Sequence, residues 1–352
     1  MRALTLIPGQ PQSACLVDVP EPQRGEKMVL ARALAVGICG TDREILAGHY
    51  GSSAPGRKRL VLGHESLAEV EEAPADSGFK RGDLIAGVVR HPDPVPCEAC
   101  RVGEWDMCRN GLYTEHGIKG LDGFCAELWC TEPQFAIRLD PSLRSTGVLL
   151  EPTSVVAKAW DHVERIGGRS VSWRPRCALV TGAGPIGLLA SLLTRQRDCE
   201  LHVYDRNRGD IKRTLVEQLG GRYHCDSIEQ ALSVKPDVII ECTGAAEVVM
   251  AAIGTNSTGG IVCLAGLSSG VHRISYDFTG LNRSMVLEND VVFGTVNANR
   301  RHYELAASAL SQANPRWLES LISRRVPLGR WTEAIERRPG DVKVVLDFTL
   351  EE

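Results

Sequence analysis

The rhythm of hydrophobic and polar positions changes near residue 155. Before it, short apolar runs such as Met28–Val36 and Leu84–Val89 are broken by Gly and Pro, which predicts short strands of an irregular β-rich unit. After it, apolar runs alternate with helical patterns. Cys177–Thr181, Glu200–Tyr204, Asp237–Cys242 and Gly260–Ala265 read as strands, with helices over Pro185–Arg197, Gly209–Leu219 and Ala245–Ile253. Strand–helix alternation at this spacing predicts a doubly wound parallel sheet with right-handed crossovers. A short strand at Val291–Phe293, a polar helical stretch and a last strand pattern at Val342–Phe348 follow. The expected division is residues 1–155 with 295–352 as one domain and 156–294 as the other, an α/β protein overall.

Composition narrows the function. With 352 residues, 43% of them hydrophobic, the chain can bury two cores. A net charge of −4 and no basic tract argue against a nucleic-acid partner. No run of eighteen apolar residues suggests a membrane span, and Pro8, Gly9 and Gln10 interrupt the opening residues where a signal peptide would need its apolar core. A cytoplasmic location is therefore expected. In that reducing compartment the clustered members of the twelve cysteines point to metal or catalysis, and the isolated ones to packing.

Strand Cys177–Thr181 runs into Gly182-Ala183-Gly184-Pro185-Ile186-Gly187. This GxGxxG has a strand before it and a helix after it, the context of a Rossmann dinucleotide fingerprint. Gly182 permits the turn, Gly184 lets the backbone approach a pyrophosphate, and Gly187 allows helix–strand packing. Pro185 and Ile186 open the helix, whose free N–H groups favour the anion. Asp205 ends the next strand, where a carboxylate binds the ribose hydroxyls of NAD and repels a 2′-phosphate. Arg206 and Arg208 follow and could meet such a phosphate or stack on adenine. NAD is the expected cofactor, with NADP as a second. Thr243 and Gly266, at the next two strand ends, border the same edge or simply turn the chain.

Three distant segments carry competent zinc ligands: Cys39 in Gly-Ile-Cys-Gly-Thr-Asp, His64 in Gly-His-Glu, and Glu151 in Leu-Glu-Pro. Spacing alone does not make them converge. GICGTD, GHE, LEP and GAGPIG in this order resemble the zinc-dependent medium-chain dehydrogenase/reductase superfamily over essentially the whole chain. Glu rather than Cys at 151 is similar to its polyol and sugar branch. The stretches at 109–115 (RNGLYTE), 117–120 (GIKG) and 296–303 (VNANRRHY) resemble glucose 1-dehydrogenases.

The resemblance implies a GroES-like catalytic domain and a Rossmann domain. It implies a catalytic zinc held by Cys39, His64 and Glu151, with Glu65 as an alternating ligand. Thr41 would hydrogen-bond the reacting hydroxyl and relay its proton; by itself it reads equally as a helix cap. Glu115, Asn297 and Glu151 would hold other sugar hydroxyls, and Asn297 would also border the cofactor. The implied reaction is oxidation of an aldose such as glucose at C1 to the lactone, by hydride transfer to NAD or NADP. An amino sugar, a cyclitol or another polyol is the alternative substrate, and a homotetramer or homodimer the expected assembly.

Cys97, Cys100 and Cys108 match three of the four cysteines of the superfamily's structural zinc lobe, with Pro94 in the first place. Structural zinc needs a fourth ligand, for which Asp93 is the candidate and His91 the reserve. His49 could line a sugar pocket or sit in an ordinary loop. Arg300, Arg301 and His302 could approach cofactor phosphates or start a helix.

Overall fold

A computed structural model of the chain describes residues 1–23, 25–254, 257–268 and 270–351. The chain divides into two compact units, Met1–Ser154 with Asn297 onward, and Val155–Val296.

The first unit is built on a mixed sheet whose central member is the strand Val29–Ile38. Strand Glu65–Glu72 pairs with it antiparallel on one side and Lys343–Asp347 antiparallel on the other. The C-terminal strand pattern thus closes back onto the first unit. Apolar side chains from these strands, among them Val36, Ile38, Ala68, Val344 and Leu346, enter one buried cluster. The pairing decides the chemistry that follows. Gly37 lies opposite Glu65 and Ile38 opposite Val344. The end of the central strand is therefore flanked by Glu65 and Lys343, and Cys39 comes next in the chain.

The second unit carries a six-stranded parallel sheet among the described residues. In space the strands run Arg222–His224, Glu200–Tyr204, Cys177–Thr181, Val238–Glu241, Ile261–Leu264 and Val291–Gly294. Taken in chain order this is 3-2-1-4-5-6, the doubly wound arrangement with its switch point beside Cys177–Thr181. Its central strands are apolar on both faces, as sheets covered on both sides require. The sequence pattern did not announce Arg222–His224 or the helix Ile228–Leu232. That strand is three residues long, lies at the sheet edge and is half-polar, so it has no apolar run to betray it. Among the described residues, no helix is long and apolar enough to cross a membrane.

Candidate functional site

Cys39 leaves the central strand and caps the helix Gly40–Leu46. Its Sγ accepts from the Thr41 N–H at 3.3 Å, while Asp42 Oδ2 accepts from the Cys39 N–H at 2.8 Å. This reciprocal cap fixes the direction of the thiol. Thr41 is therefore part of the cap through its backbone, and its half-buried hydroxyl has no hydrogen bond among the described residues.

His64 enters from the turn before the strand Glu65–Glu72. Its Nε2 lies 3.1 Å from Cys39 Sγ and its Nδ1 lies 3.1 Å from Asp42 Oδ1. A carboxylate behind one ring nitrogen leaves the other to face a ligand, which is how metal-binding histidines are oriented. Burial opposes charge on both partners. Even so, Asp42 and Cys39 raise the His64 imidazole well above its ordinary value, and His64 and the Cys39 N–H hold Asp42 below its own.

Glu65 and Lys343 are both buried and form an ion pair. Gly37 is what lets the Glu65 carboxylate lie across the strand, because a Cβ there would stand 1.9 Å from Glu65 Oε2. Lys343 Nζ also donates to the Ile38 carbonyl at 3.3 Å.

The metal-competent atoms of Cys39, His64 and Glu65 lie within 4.8 Å of one another. Glu151, in the first turn of the helix Leu150–Gly167, is outside that triplet but feels the charges of His64, Glu65, Lys343 and Asp42. Burial pushes its carboxyl up to about 7. Cys39, Asp42, Glu65 and Glu151 thus gather with His64, Lys343 and, at its edge, Arg43 in a largely desolvated site. A soft thiol, an imidazole and carboxylates make a donor set that fits zinc. Asp42 and Lys343 were not singled out from sequence. Lys343 did leave a signal: a lone cation inside the apolar run Val342–Phe348, which burial tolerates only with a partner.

Glu115 and Asn297 come together in the same unit. Asn297 Nδ2 donates to Glu115 Oε1 at 2.7 Å, and Arg90 Nε donates to that oxygen at 3.0 Å. Arg90 had no sequence signal. Beside this group, His49, Tyr50, Ser52, Tyr113, Ile118 and Lys119 line a cavity of about 410 Å³. Burial and then the Glu115 charge raise the Tyr50 hydroxyl above its ordinary value. Arg300 does not stand free for a phosphate: it donates to the carbonyls of Pro133, Gln134 and Ala136 and pairs with Glu304.

Cys97, Cys100 and Cys108 form a second metal-competent cluster. The Arg109 and Cys100 N–H groups pull the Cys97 thiol down to about 6, whereas burial pushes Cys100 up to about 11. The Asp93 carboxylate is not part of that triplet, although the Asp93 N–H donates to the Cys100 thiol. Asp93 Oδ1 accepts from the Val95 N–H and its Oδ2 from the Asn110 amide, each at 2.8 Å. The carboxylate is thereby turned into its own loop. His91 stacks on Phe135, ring centres 3.7 Å apart.

In the second unit Gly182 has φ +87°, and a Cβ on Gly187 would stand 1.7 Å from the Gly182 carbonyl oxygen. A Cβ on Gly184 would meet nothing within 4 Å. The loop is thus tight on its protein side and open on the other, a cradle suited to a pyrophosphate at the start of the helix Pro185–Arg195, which Pro185 and Ile186 open. Thr243 and Gly266 serve the strand ends. Buried Glu241 accepts from the Thr181 hydroxyl and from the Thr243 and Gly244 N–H groups. Gly266 packs where a Cβ would stand 2.3 Å from Gly244 N.

Residues 25–141 match the alcohol dehydrogenase GroES-like domain family, and residues 144–348 the glucose dehydrogenase C-terminus family. The chain is 40% identical to glucose 1-dehydrogenase of Methanocella arvoryzae, over 99% of each chain. It is 40% identical to glucose 1-dehydrogenase of Thermoproteus tenax, over 98% of this chain and 99% of that protein. Among solved structures, Haloferax mediterranei glucose dehydrogenase in complex with NADP, Zn and gluconolactone superimposes with a TM-score of 0.91 at 28% identity, covering 100% of both chains.

Proposed function

The chain belongs to the zinc-dependent medium-chain dehydrogenase/reductase superfamily, on its glucose dehydrogenase branch, and from that premise we propose that it oxidises the C1 hydroxyl of an aldose such as glucose to the lactone, with NAD or NADP as hydride acceptor. The observation that carries the reading is the meeting of Cys39 with the adjacent pair His64 and Glu65 from a second segment of the chain. Cys39, His64 and Glu151 would hold the zinc, with Glu65 released to it or retained by Lys343. When bound, zinc supplies Lewis acidity toward a substrate hydroxyl, and the nicotinamide accepts a hydride.

The chain's own residues do the rest. Asp42 keeps the His64 ring oriented. The Thr41 hydroxyl, without a hydrogen bond among the described residues, accepts the hydrogen bond of the reacting hydroxyl and passes its proton toward solvent. Glu115, fixed by Arg90 and Asn297, receives hydroxyls of the sugar ring, and the adjoining cavity gives the sugar room. Gly182, Gly184 and Gly187 cradle the pyrophosphate.

The same reading places the protein in the cytoplasm as a homodimer or homotetramer. Three neighbouring thiols need a reducing compartment to stay metal-competent. The strand Val291–Gly294 ends its sheet, and the preceding helix Phe278–Glu288 buries no residue while exposing Phe278, Val286 and Leu287. That is an apolar edge for a second copy.

A panel of aldoses, amino sugars and cyclitols, assayed by the absorbance of reduced nicotinamide, tests the reading. Glucose or a close aldose should turn over fastest and give a lactone. Preference for a cyclitol or a simple secondary alcohol would refute the C1 assignment.

A further inference from the structure

The acid that ends the second strand of a dinucleotide-binding sheet ordinarily offers both oxygens to the ribose hydroxyls. Asp205 does not have both to offer. Its Oδ2 accepts from the Ala183 N–H at 2.7 Å and from Lys212 Nζ at 2.9 Å, and its Oδ1 accepts from the Asn207 N–H at 2.7 Å. A carboxylate has about four acceptor positions, so three are filled before any ligand arrives. The pair is largely enclosed, with the side chains 14% and 20% exposed, so water screens it less than a surface pair.

The charges around it point the same way. Arg206 is exposed and has no hydrogen bond or ion pair among the described residues. Among the described residues Arg208 pairs only with exposed Asp226, at 3.1 Å, a contact of little strength. With Lys212 cancelling Asp205, what remains at the strand end is cationic. An unpaired acid there would repel a 2′-phosphate; a neutralised one beside arginines would accept it.

We propose that Lys212 is a specificity-determining residue: by pairing with Asp205 it removes the repulsion of a 2′-phosphate and lets this unit bind NADP as well as NAD. The inference rests on the reading that the second unit takes a nicotinamide dinucleotide.

Calorimetric titration of the full chain with NADPH and with NADH, without sugar, tests it. Lys212→Met should weaken NADPH by about tenfold, the effect of one uncovered charge near a phosphate, and change NADH by less than about threefold. Lys212→Gln keeps a donor to Asp205 but no charge, and should give the same ratio. In an Asp205→Ala background, Lys212→Met should lose most of its selectivity for NADPH. An equal effect of Lys212→Met and Lys212→Gln on both nucleotides would overturn the proposal while leaving the nucleotide reading intact. Failure of the unmodified protein to bind either nucleotide would overturn both.

Discussion

Asn297 donates to Glu115 at 2.7 Å across 182 residues of chain. Asn297 reaches it from a left-handed backbone position, φ +60°, which asparagine tolerates better than most residues. Arg90 holds the same carboxylate oxygen from a neighbouring strand. Glu115 is 3% exposed, so its carboxylate is pre-set rather than mobile. In the proposed reaction, Glu115→Gln keeps the shape and removes the charge-assisted acceptor. The aldose KM should rise by roughly tenfold or more, the cost of one such hydrogen bond, with the nucleotide KM changing less than about twofold. Steady-state kinetics with each substrate varied in turn checks this. An unchanged aldose KM would remove Glu115 from the sugar site.

The Glu65–Lys343 ion pair is buried on both sides. Taking away one partner of such a pair leaves an uncompensated charge, which costs about 3–5 kcal/mol. Lys343→Met should therefore lower stability by that order in urea unfolding of the metal-free protein. Glu65→Gln combined with Lys343→Met should recover part of the loss. A cost for Lys343→Met below about 1 kcal/mol, the level of a surface pair, would contradict the description.

His116 is buried, with Nδ1 2.7 Å from the Asp122 carbonyl oxygen. Burial pulls its pKa below the ordinary value, and that carbonyl only partly opposes the shift. The folded state therefore keeps His116 neutral where the unfolded chain takes up a proton, below about pH 6.5. More protons on the unfolded state means that stability falls as pH falls. The stability is fully present above about pH 6.5 and declines below it, by at most about 1.4 kcal/mol per pH unit for one such group. His116→Gln should flatten the pH dependence of urea unfolding between roughly pH 6.5 and 5. An identical slope in the variant would show that His116 titrates alike in both states.

The three-thiol cluster predicts a second metal. Cys108→Ser should lower the zinc content by about one ion per chain and reduce the melting temperature. Elemental analysis of dialysed protein measures the first and calorimetry the second. Equal zinc in the variant and the parent would mean that the lobe holds none. Asp93, the expected fourth ligand, would have to exchange its hydrogen bonds to Val95 and Asn110 for the metal.

How much of this could be read from sequence depends on whether the signal is local. The tight glycine loop was legible because Gly182, Gly184 and Gly187 stand within six residues and perform a local task. The apolar strands of the second unit were legible because burial on both faces leaves continuous runs. Cys39, His64 and Glu151 needed the family resemblance, since convergence across more than a hundred residues leaves no periodic trace. Arg90 and Lys212 were opaque. Each is an ordinary basic residue until the fold sets it beside Glu115 or Asp205. Asp93 shows the limit of adjacency: its place beside the vacant ligand position was legible, but not that its carboxylate would bond Val95 and Asn110.

In the proposed reaction, sugar oxidation depends on a metal held at Cys39 and His64. The most direct measurement is glucose oxidation with NAD and with NADP before and after zinc removal by a chelator, followed by zinc return. Zinc removal should abolish turnover while nucleotide binding is retained, zinc return should restore it, and Cys39→Ala should show no recovery. Undiminished glucose oxidation by the zinc-free protein, or by Cys39→Ala, would contradict that dependence.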